Sequence, residues 1–131
     1  MSLNNSTNTP FPMVYLRSAL LDLTSASPQA MFTIPTDRTF IPVSQINECV
    51  SIVNYTVDGS LFIGTNSPDF DNWVIGGSWV ATTAGTTYPP GDFNTVPIAL
   101  VTAGTTVTAL FDPPLTADSA TGYVYILGVY K

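Results

Sequence analysis

The stretch "MFTIPTDRTFIPV", residues 31–43, decides the fold class because it holds two short apolar runs around a polar break. The break is Pro35-Thr36-Asp37-Arg38-Thr39, and a proline meets each run. Proline and aspartate favour turns, whereas short runs of Phe, Ile, Val and Met bounded by them favour strands. The stretch therefore predicts two strands joined as a hairpin, with Asp37 and Arg38 at its tip.

Length and composition limit the number of domains and the character of the surface. Its 131 residues favour a single domain. Charged residues make up only 9%, against roughly 25% in ordinary globular domains, while hydrophobic residues reach an ordinary 45%. Such a chain folds, but it lacks the charged surface of a freely soluble monomer. Either partners cover much of its surface, or it is an all-β domain of the secreted type that is rich in Ser and Thr.

The charge balance excludes several partners. The net charge is −6, and Arg17, Arg38 and Lys131 are the only cations in the sequence. Without a basic stripe the chain is unsuited to nucleic acid or to anionic membranes. No apolar run is long enough to span a bilayer, and the first residues lack the basic and apolar regions of a signal peptide. We therefore expect neither nucleic acid nor a membrane as a partner.

The residue types also argue against catalysis. The sequence contains no histidine, which removes Ser-His-Asp and Cys-His chemistry and histidine-ligated zinc. Cys49 is the single cysteine, so neither an intrachain disulfide nor a cysteine zinc site can form. Its apolar neighbours predict a buried small side chain. We expect no enzymatic activity and no cofactor.

Gly, Pro, Asn and Asp punctuate runs of β-branched and aromatic residues along the chain, which predicts an all-β protein. About eight short strands at this spacing favour a β-sandwich, in particular a jelly roll, over residues 13–131. Pro42 requires an edge strand or a bulge, and Asp58-Gly59 indicates a hairpin or a bulge. The strands are predicted at 14–23, 29–34, 39–48, 50–57, 60–64, 72–81, 96–101, 105–112 and 121–130.

The residue patterns of two of these strands predict which side chains form the core. In "TVTALF" alternation places Val107, Ala109 and Phe111 on one face, so that face packs inward. The segment 121–130 is apolar on both faces, which is typical of a central strand or of a strand in an oligomer contact. We expect Val107, Val124 and Ile126 in the core between the sheets.

Residues 1–12 are predicted to form an extended N-terminal arm that is either disordered or ordered only against a partner. They are mostly polar and show no periodicity, so they cannot build a core of their own. Leu3 and Phe11, with Met13 at the boundary, are apolar anchors suited to a partner. Extended segments bind by adding main-chain hydrogen bonds to an open sheet edge.

Two further groups of residues are candidate sites. The acidic segment "TNSPDFDNW" offers oxygen ligands for Ca²⁺, although Asx-rich turns use the same residues, and we expect the turn. The aromatic group could stack on sugars if it were exposed in a row, but such residues more often fill a core. The acidic group is Asn66, Asp69, Asp71 and Asn72; the aromatic group is Trp73, Trp79, Tyr88 and Phe93.

Three segments resemble small structural proteins of tailed bacteriophages. "LLDLTSASPQAMFTIPTDRTFIPVSQI" is similar to their N-terminal half, where a "DLT" strand leads to a "lFtVP-G-r-F-P" hairpin. "LFIGTNSPDFDNWV" resembles their "G-T-N…Y-N-D" segment, and "GYVYILGVYK" resembles their terminal strand. Asp37 stands where these proteins usually have a turn glycine, and Phe70 where tyrosine is frequent.

The resemblance implies a virion structural protein. Its most specific form is a capsid cement, or decoration, protein on the exterior of a phage head, with the major capsid protein and itself, as a homotrimer, as partners. Asp37, Arg38 and Tyr130 are then candidate trimer or capsid contacts, although Asp37 and Arg38 also serve simply to keep a turn soluble. The alternative is a carbohydrate- or host-binding β-sandwich of a phage fibre, neck or tail.

Overall fold

The computed structural model describes residues 13–79, 87–88 and 101–130, with the side chains of 75–79 and 87–88 excepted. These residues form nine strands and contain no helix. The strands are β1 (Met13–Arg17), β2 (Leu21–Asp22), β3 (Gln29–Thr33), β4 (Phe40–Val53), β5 (Gly59–Gly64), β6 (Val74–Trp79), β7 (Thr87–Tyr88), β8 (Thr106–Phe111) and β9 (Ser119–Tyr130).

The strands form two antiparallel sheets, which confirms the predicted β-sandwich. The five-stranded sheet has the order β1-β9-β4-β7, with β2 also paired to β9, and the four-stranded sheet has the order β3-β8-β5-β6. Consecutive strands lie in different sheets after β2, β3, β4, β6, β7 and β8, so most hydrogen-bonded neighbours are distant in sequence. This crossing pattern supports the jelly roll, which stays a prediction.

The inner faces of the two sheets enclose one hydrophobic core. Val107, Val124 and Ile126 are fully buried in it, as predicted from the alternation of their strands. Burying one such side chain contributes about 1.5–3 kcal/mol to folding. At one end of the core the Phe40 ring stacks on Trp73, with ring centroids 6.3 Å apart, and meets Tyr130 edge-on at 5.7 Å.

The stretch 31–43 does contain a turn, but it does not form a hairpin. The turn closes where the amide of Arg38 donates to the carbonyl oxygen of Pro35. Beyond it, β3 pairs with β8 in one sheet, whereas β4 pairs with β9 in the other. The prediction of a hairpin is therefore wrong, and the turn is a corner between the sheets. Each strand buries its apolar side chains against a distant partner strand, so the two do not pair with each other.

β4 is one long strand where two were predicted. Its pairing with β9 shifts register between Pro42 and Ser44 and again between Cys49 and Ser51. The first bulge confirms the expectation for a proline inside a strand, since Pro42 has no amide hydrogen to donate. The second bulge, at Val50, marks the gap predicted between two strands, and the sheet tolerates it without ending the strand.

Two other predicted segments differ from the structure. The predicted strand 14–23 is split into β1 and β2 at residues 18–20, where Ser18 Oγ accepts from the Val124 amide and the Ala19 amide donates to the Met31 carbonyl oxygen. The hairpin predicted at Asp58-Gly59 is absent, since β4 and β5 belong to different sheets. A Cβ at Gly59 would collide with Leu115, so this glycine serves close packing. The predicted strand 96–101 lies, except for its last residue, outside the described residues.

Candidate interaction surface

The most unusual surface of the sandwich is the outer face of β1, β9 and β4, which we call the tyrosine face. Alternation along β9 places Val124 and Ile126 in the core, so the residues between them point outward. Register extends this face to the paired strands on either side. The tyrosine face comprises Met13, Tyr15, Arg17, Ile41, Ser44, Ile46, Glu48, Tyr123, Tyr125, Leu127 and Val129.

This face is apolar and substantially open to solvent. Met13 is 56% exposed and Tyr15 is 60% exposed on the edge strand β1. Of the seven large hydrophobic side chains that are exposed among the described residues, Met13 and Tyr15 belong to this face, and β3, β5 and β8 contribute none. Contiguous apolar surface of this kind marks an interaction site.

A shallow hollow lies at the centre of the tyrosine face. It is lined by Tyr15, Ile46, Glu48 and Tyr125 and has a volume of about 390 Å³. The Tyr125 hydroxyl donates to Glu48 Oε1 across 2.6 Å. This hydrogen bond, with partial burial, raises the pKa of Tyr125 above that of an ordinary tyrosine. The phenol therefore stays neutral and holds the carboxylate in place at physiological pH.

Arg17 supplies the positive charge of this face. Its Cζ lies 4.6 Å from the ring centroid of Tyr123, which is cation–π geometry. In the sheet, Arg17 stands opposite Tyr125 on one side of β9, and Glu48 stands opposite Tyr123 on the other. The two charges thus flank a pair of tyrosines, and the face as a whole is close to neutral.

The outer face of the opposite sheet, which we call the threonine face, has a different character. Its outward residues are small or half-buried, and the Thr33 and Thr106 hydroxyls lie 3.0 Å apart. A hollow of about 150 Å³ on this side is lined by two apolar side chains and three aspartates, Asp69, Asp71 and Asp112. The threonine face comprises Ala30, Thr33, Phe62, Gly64, Thr106, Thr108 and Leu110.

The acidic loop 65–73 folds over this threonine face. The Asn66 side-chain oxygen accepts from the amides of Asp71 and Asn72, and its nitrogen donates to Asp71 Oδ1. The Asn72 oxygen accepts from the Thr65 amide. A Cβ at Gly64 would collide with both asparagine oxygens, so the glycine lets the loop approach closely. The predicted Asx-rich turn is therefore formed by Asn66, Asp71 and Asn72, while Asp69 is exposed at its tip.

The structure brings together two of the predicted contact residues. The Arg38 guanidinium carbon lies 5.6 Å from the ring centroid of Tyr130, so these two share one corner of the sandwich, and Asp37 is exposed beside them. Met13 lies on the tyrosine face and pairs with Val129, the residue before Tyr130. Leu3 and Phe11 lie outside the described residues. A role of any of these side chains in binding a partner stays a prediction.

The structure excludes one residue of the aromatic group that was considered for sugar stacking. Trp73 is only 2% exposed and packs in the core against Phe40, so it cannot stack on a ligand. The side chains of Trp79 and Tyr88 lie outside the description, as does Phe93. Cys49 is buried as predicted, and this burial raises the pKa of its thiol. A thiol in this environment is a packing group and a poor nucleophile.

Sequence reasoning named Met13 and the two-faced apolar strand 121–130, but it missed the other residues that define the tyrosine face. Tyr15 and Arg17 lie in "MVYLR", and Ile46 and Glu48 lie in "SQINE", where apolar and polar residues do not alternate cleanly. The signal that could have found them was available in "GYVYILGVY". Because this strand is apolar on both faces, its outer tyrosines require apolar neighbours or a partner.

Neither a membrane-spanning helix nor a metal cluster is found in the described part of the chain. No helix there is long and apolar enough to cross a bilayer. No group of three or more His, Cys, Asp or Glu side chains among these residues is arranged to hold a metal ion.

Comparison with known proteins gives one solved structure. No protein-family model and no curated protein matches the chain. The chain is similar to one chain of the cyanophage Pam1 capsid asymmetric unit, with a TM-score of 0.56 and 14% sequence identity. The similarity covers 98% of this chain and 99% of that chain. At this level of identity the two chains share a fold.

Proposed function

We propose that this chain is a structural protein of a phage virion, in particular a capsid cement protein. It binds the outer surface of the head and stabilises contacts between major capsid protein subunits. The observation that carries the proposal is the fold shared with a chain of a phage capsid unit over nearly the whole length of both chains. The segments that resemble small phage structural proteins support the same class independently.

The surface of the molecule agrees with a function in assembly. A cement protein is surrounded by capsid subunits and by copies of itself, so it needs little charge and much contact area. The tyrosine face offers such area, with exposed Met13 and Tyr15 beside the half-buried side chains of β9. The sequence contains no histidine, and in this proposal the protein has no catalytic role and no cofactor.

Self-association as a homotrimer and the N-terminal arm belong to the same proposal. A trimer suits the local symmetry points of an icosahedral shell, and the outer side chains of β9 supply apolar area for it. The arm, residues 1–12, enters the sandwich at Met13 on the edge strand β1. From there it reaches a neighbouring subunit or the shell and adds to an open sheet edge.

The test is a decoration experiment with phage heads from which this protein has been stripped. The full chain should rebind to the heads at a fixed number of copies and raise the temperature at which they rupture. A heat-denatured sample of the chain serves as the control for adventitious coating. Stripped heads that neither bind the chain nor gain thermal stability from it would contradict the cement function.

The alternative function is carbohydrate or host binding in a fibre, neck or tail. The hollow between Tyr15 and Tyr125 favours it, because tyrosine rings beside a carboxylate can stack on a sugar and accept its hydroxyls. Most of the wall is apolar, however, whereas sugars require many hydrogen-bonding groups. Titration with glycans from the host surface, followed by tyrosine fluorescence, separates the two functions.

A further inference from the structure

We propose that the interior of the sandwich holds a specific binding site for a water molecule at the side-chain amides of Gln45 and Asn47. The water donates a hydrogen bond to Gln45 Oε1 and accepts one from Asn47 Nδ2. This inference is independent of the proposed function, because it concerns the inner face of β4 and not the outer surface that would meet a partner.

Two amide side chains of β4 lie inside the sandwich. Gln45 is only 1% exposed, and Asn47 is 5% exposed. Side chains two residues apart on a strand point to the same face, so both amides face inward. On the paired strand β9 they stand opposite Ile126 and Val124, which are fully buried. The two amides therefore lie beside apolar side chains of the core.

The two amides form one hydrogen bond with each other and leave one atom of each without a protein partner. Gln45 Nε2 donates to Asn47 Oδ1 across 2.6 Å. Gln45 Oε1 is enclosed, and no donor among the described residues lies within hydrogen-bond distance of it. In the same part of the chain no acceptor is found for Asn47 Nδ2. An enclosed acceptor and a donor of the neighbouring amide thus remain.

The enclosed oxygen requires a partner. An amide oxygen loses its hydrogen bonds to water on folding, and burial without replacement costs free energy. Exchanging oxygen and nitrogen in both amides does not remove this cost. Asn47 Nδ2 would then donate to Gln45 Oε1, and Gln45 Nε2 would be the enclosed atom without a partner. Either orientation therefore requires one further group at Gln45, which native proteins supply from the chain or as ordered water.

The remaining atoms specify water as this group. A water molecule can donate to the Gln45 oxygen and accept from the Asn47 nitrogen, and a buried water usually has about two to four such partners. A metal ion requires several oxygen ligands, and no group of three or more His, Cys, Asp or Glu side chains that could hold one is found in the described ranges. The carboxylate of Glu48 faces the other way, toward the Tyr125 hydroxyl.

The experiment records nuclear Overhauser effects between water and the side-chain amide protons of the isotopically labelled full chain. A water that stays bound for longer than the protein takes to tumble gives a cross-peak of the sign seen within a rigid protein, whereas surface water exchanges too quickly. We expect such cross-peaks at Gln45 and Asn47. The half-buried amide of Gln29 donates to the Asp22 carbonyl oxygen, and this internal control should show none.

Two variants locate the water. Gln45→Met replaces the amide by an apolar side chain of similar length, so the water should be lost together with its cross-peak at Asn47. Ile126→Val, the matched control, shortens the side chain opposite Gln45 without changing either amide, and both cross-peaks should remain. Circular dichroism melting shows whether each variant is folded.

The cross-peaks of the unaltered chain decide the outcome even if Gln45→Met fails to fold. Their absence at Gln45 would overturn the site, as would contacts at this amide from a donor of residues 80–86 or 89–100 in place of water. A folded Gln45→Met variant that keeps the cross-peak at Asn47 would also overturn it. The cement function is tested separately by the decoration of stripped heads, and none of these results bears on it.

Discussion

The two outer faces of the sandwich differ in whether a loop of the same chain covers them. On the threonine face, the loop 65–73 folds back over β5, and Gly64 provides the space for its asparagine side chains. On the tyrosine face no such cover is present among the described residues, and Met13 and Tyr15 remain more than half exposed. Both faces belong to sheets that share one core, so the difference is not required by the fold.

The difference lies in how each face meets water. An outer face is stable in water when it is polar, when it consists of small residues, or when its own loop covers it. The threonine face satisfies these conditions, with its paired Thr33 and Thr106 hydroxyls. On the tyrosine face Met13 and Tyr15 stay exposed among the described residues, and exposed apolar surface is typical of interaction sites.

The largest expected effect contrasts the two sides of a single strand. Ile126 faces the core and is fully buried, whereas the next residue, Leu127, faces outward and is half-buried. Ile126→Ala should lower the free energy of unfolding by about 2–5 kcal/mol. Leu127→Ala should lower it by about 1 kcal/mol, since less area returns to water. Urea denaturation of both variants measures the difference.

This comparison has an internal control. Leu127→Ala should weaken self-association or head binding more strongly than it weakens folding, while the effect of Ile126→Ala should be confined to folding as long as the variant remains folded. Equal losses of folding stability in the two variants would show that the inner and outer faces of β9 have been assigned incorrectly.

The next effect concerns the loop that covers the threonine face. Asn66→Ala removes three hydrogen bonds that hold this loop, two from backbone amides and one to Asp71. Each contributes about 0.5–1.5 kcal/mol at most, so we expect a loss of about 1–3 kcal/mol in the free energy of unfolding. Thermal melting and urea titration measure this loss.

The same loop tests for a required metal. Asp69 and Asp71 are predicted to shape the turn without holding a necessary ion, so EDTA should leave the melting temperature unchanged. A decrease of several degrees in EDTA that Ca²⁺ reverses would identify a metal site and contradict this prediction. For the Asn66→Ala variant, the matched control is Ser67→Ala, an exposed substitution in the same loop that leaves Asn66 in place.

Much of the sandwich could be predicted from local patterns. Alternation in "TVTALF" correctly placed Val107, Ala109 and Phe111 in the core, because one face of each strand is buried and the side-chain period is two. Pro42 correctly required a bulge, because proline has no amide hydrogen for the ladder. These inferences depend on neighbouring residues alone.

The errors arose where distant pairing decides the structure. The turn at Pro35–Arg38 and the Asp58-Gly59 segment have the composition of hairpins, yet both connect different sheets. Which strand a segment pairs with depends on burial against residues far along the chain, and turn chemistry does not encode this. Most residues of the tyrosine face were missed for the same reason, since register brings Arg17, Tyr125 and Ile46 together from three separate segments.

A smaller effect involves the hydrogen bond in the hollow of the tyrosine face. Tyr125→Phe removes the donor to Glu48, at a cost of about 0.5–1 kcal/mol in the free energy of unfolding at neutral pH because the pair is near the surface. The pKa of Tyr125 is raised in the folded state by this bond. Its contribution is therefore complete below the ordinary tyrosine pKa of about 10 and is lost as the pH rises through the folded-state pKa.

Unfolding measured across this pH range tests the assignment. The stability advantage of the unaltered chain over Tyr125→Phe should shrink as the pH rises above about 10, because a tyrosinate beside a carboxylate repels it. Tyr15→Phe, which changes another tyrosine of the same face, should show no such convergence, since no comparable hydrogen bond is found for the Tyr15 hydroxyl among the described residues. A constant difference at all pH values would mean that Tyr125 and Glu48 are not coupled.

The smallest expected effect on folding comes from the N-terminal arm, and it sharpens the contrast between a self-contained sandwich and a face that needs partners. The chain enters β1 at Met13, where the side chain lies on the tyrosine face and is 56% exposed. Deleting residues 2–10 removes no part of the core described here, so the melting temperature should stay nearly unchanged. If the arm adds to a neighbouring sheet edge, the same deletion should weaken attachment to stripped heads about tenfold or more, about 1.4 kcal/mol.

Replacing residues 2–10 by a Gly-Ser sequence of equal length distinguishes specific contacts from mere chain length, and it should behave like the deletion. A truncated chain that decorates heads with the affinity of the full chain would show that the arm has no partner and that the sandwich alone provides attachment.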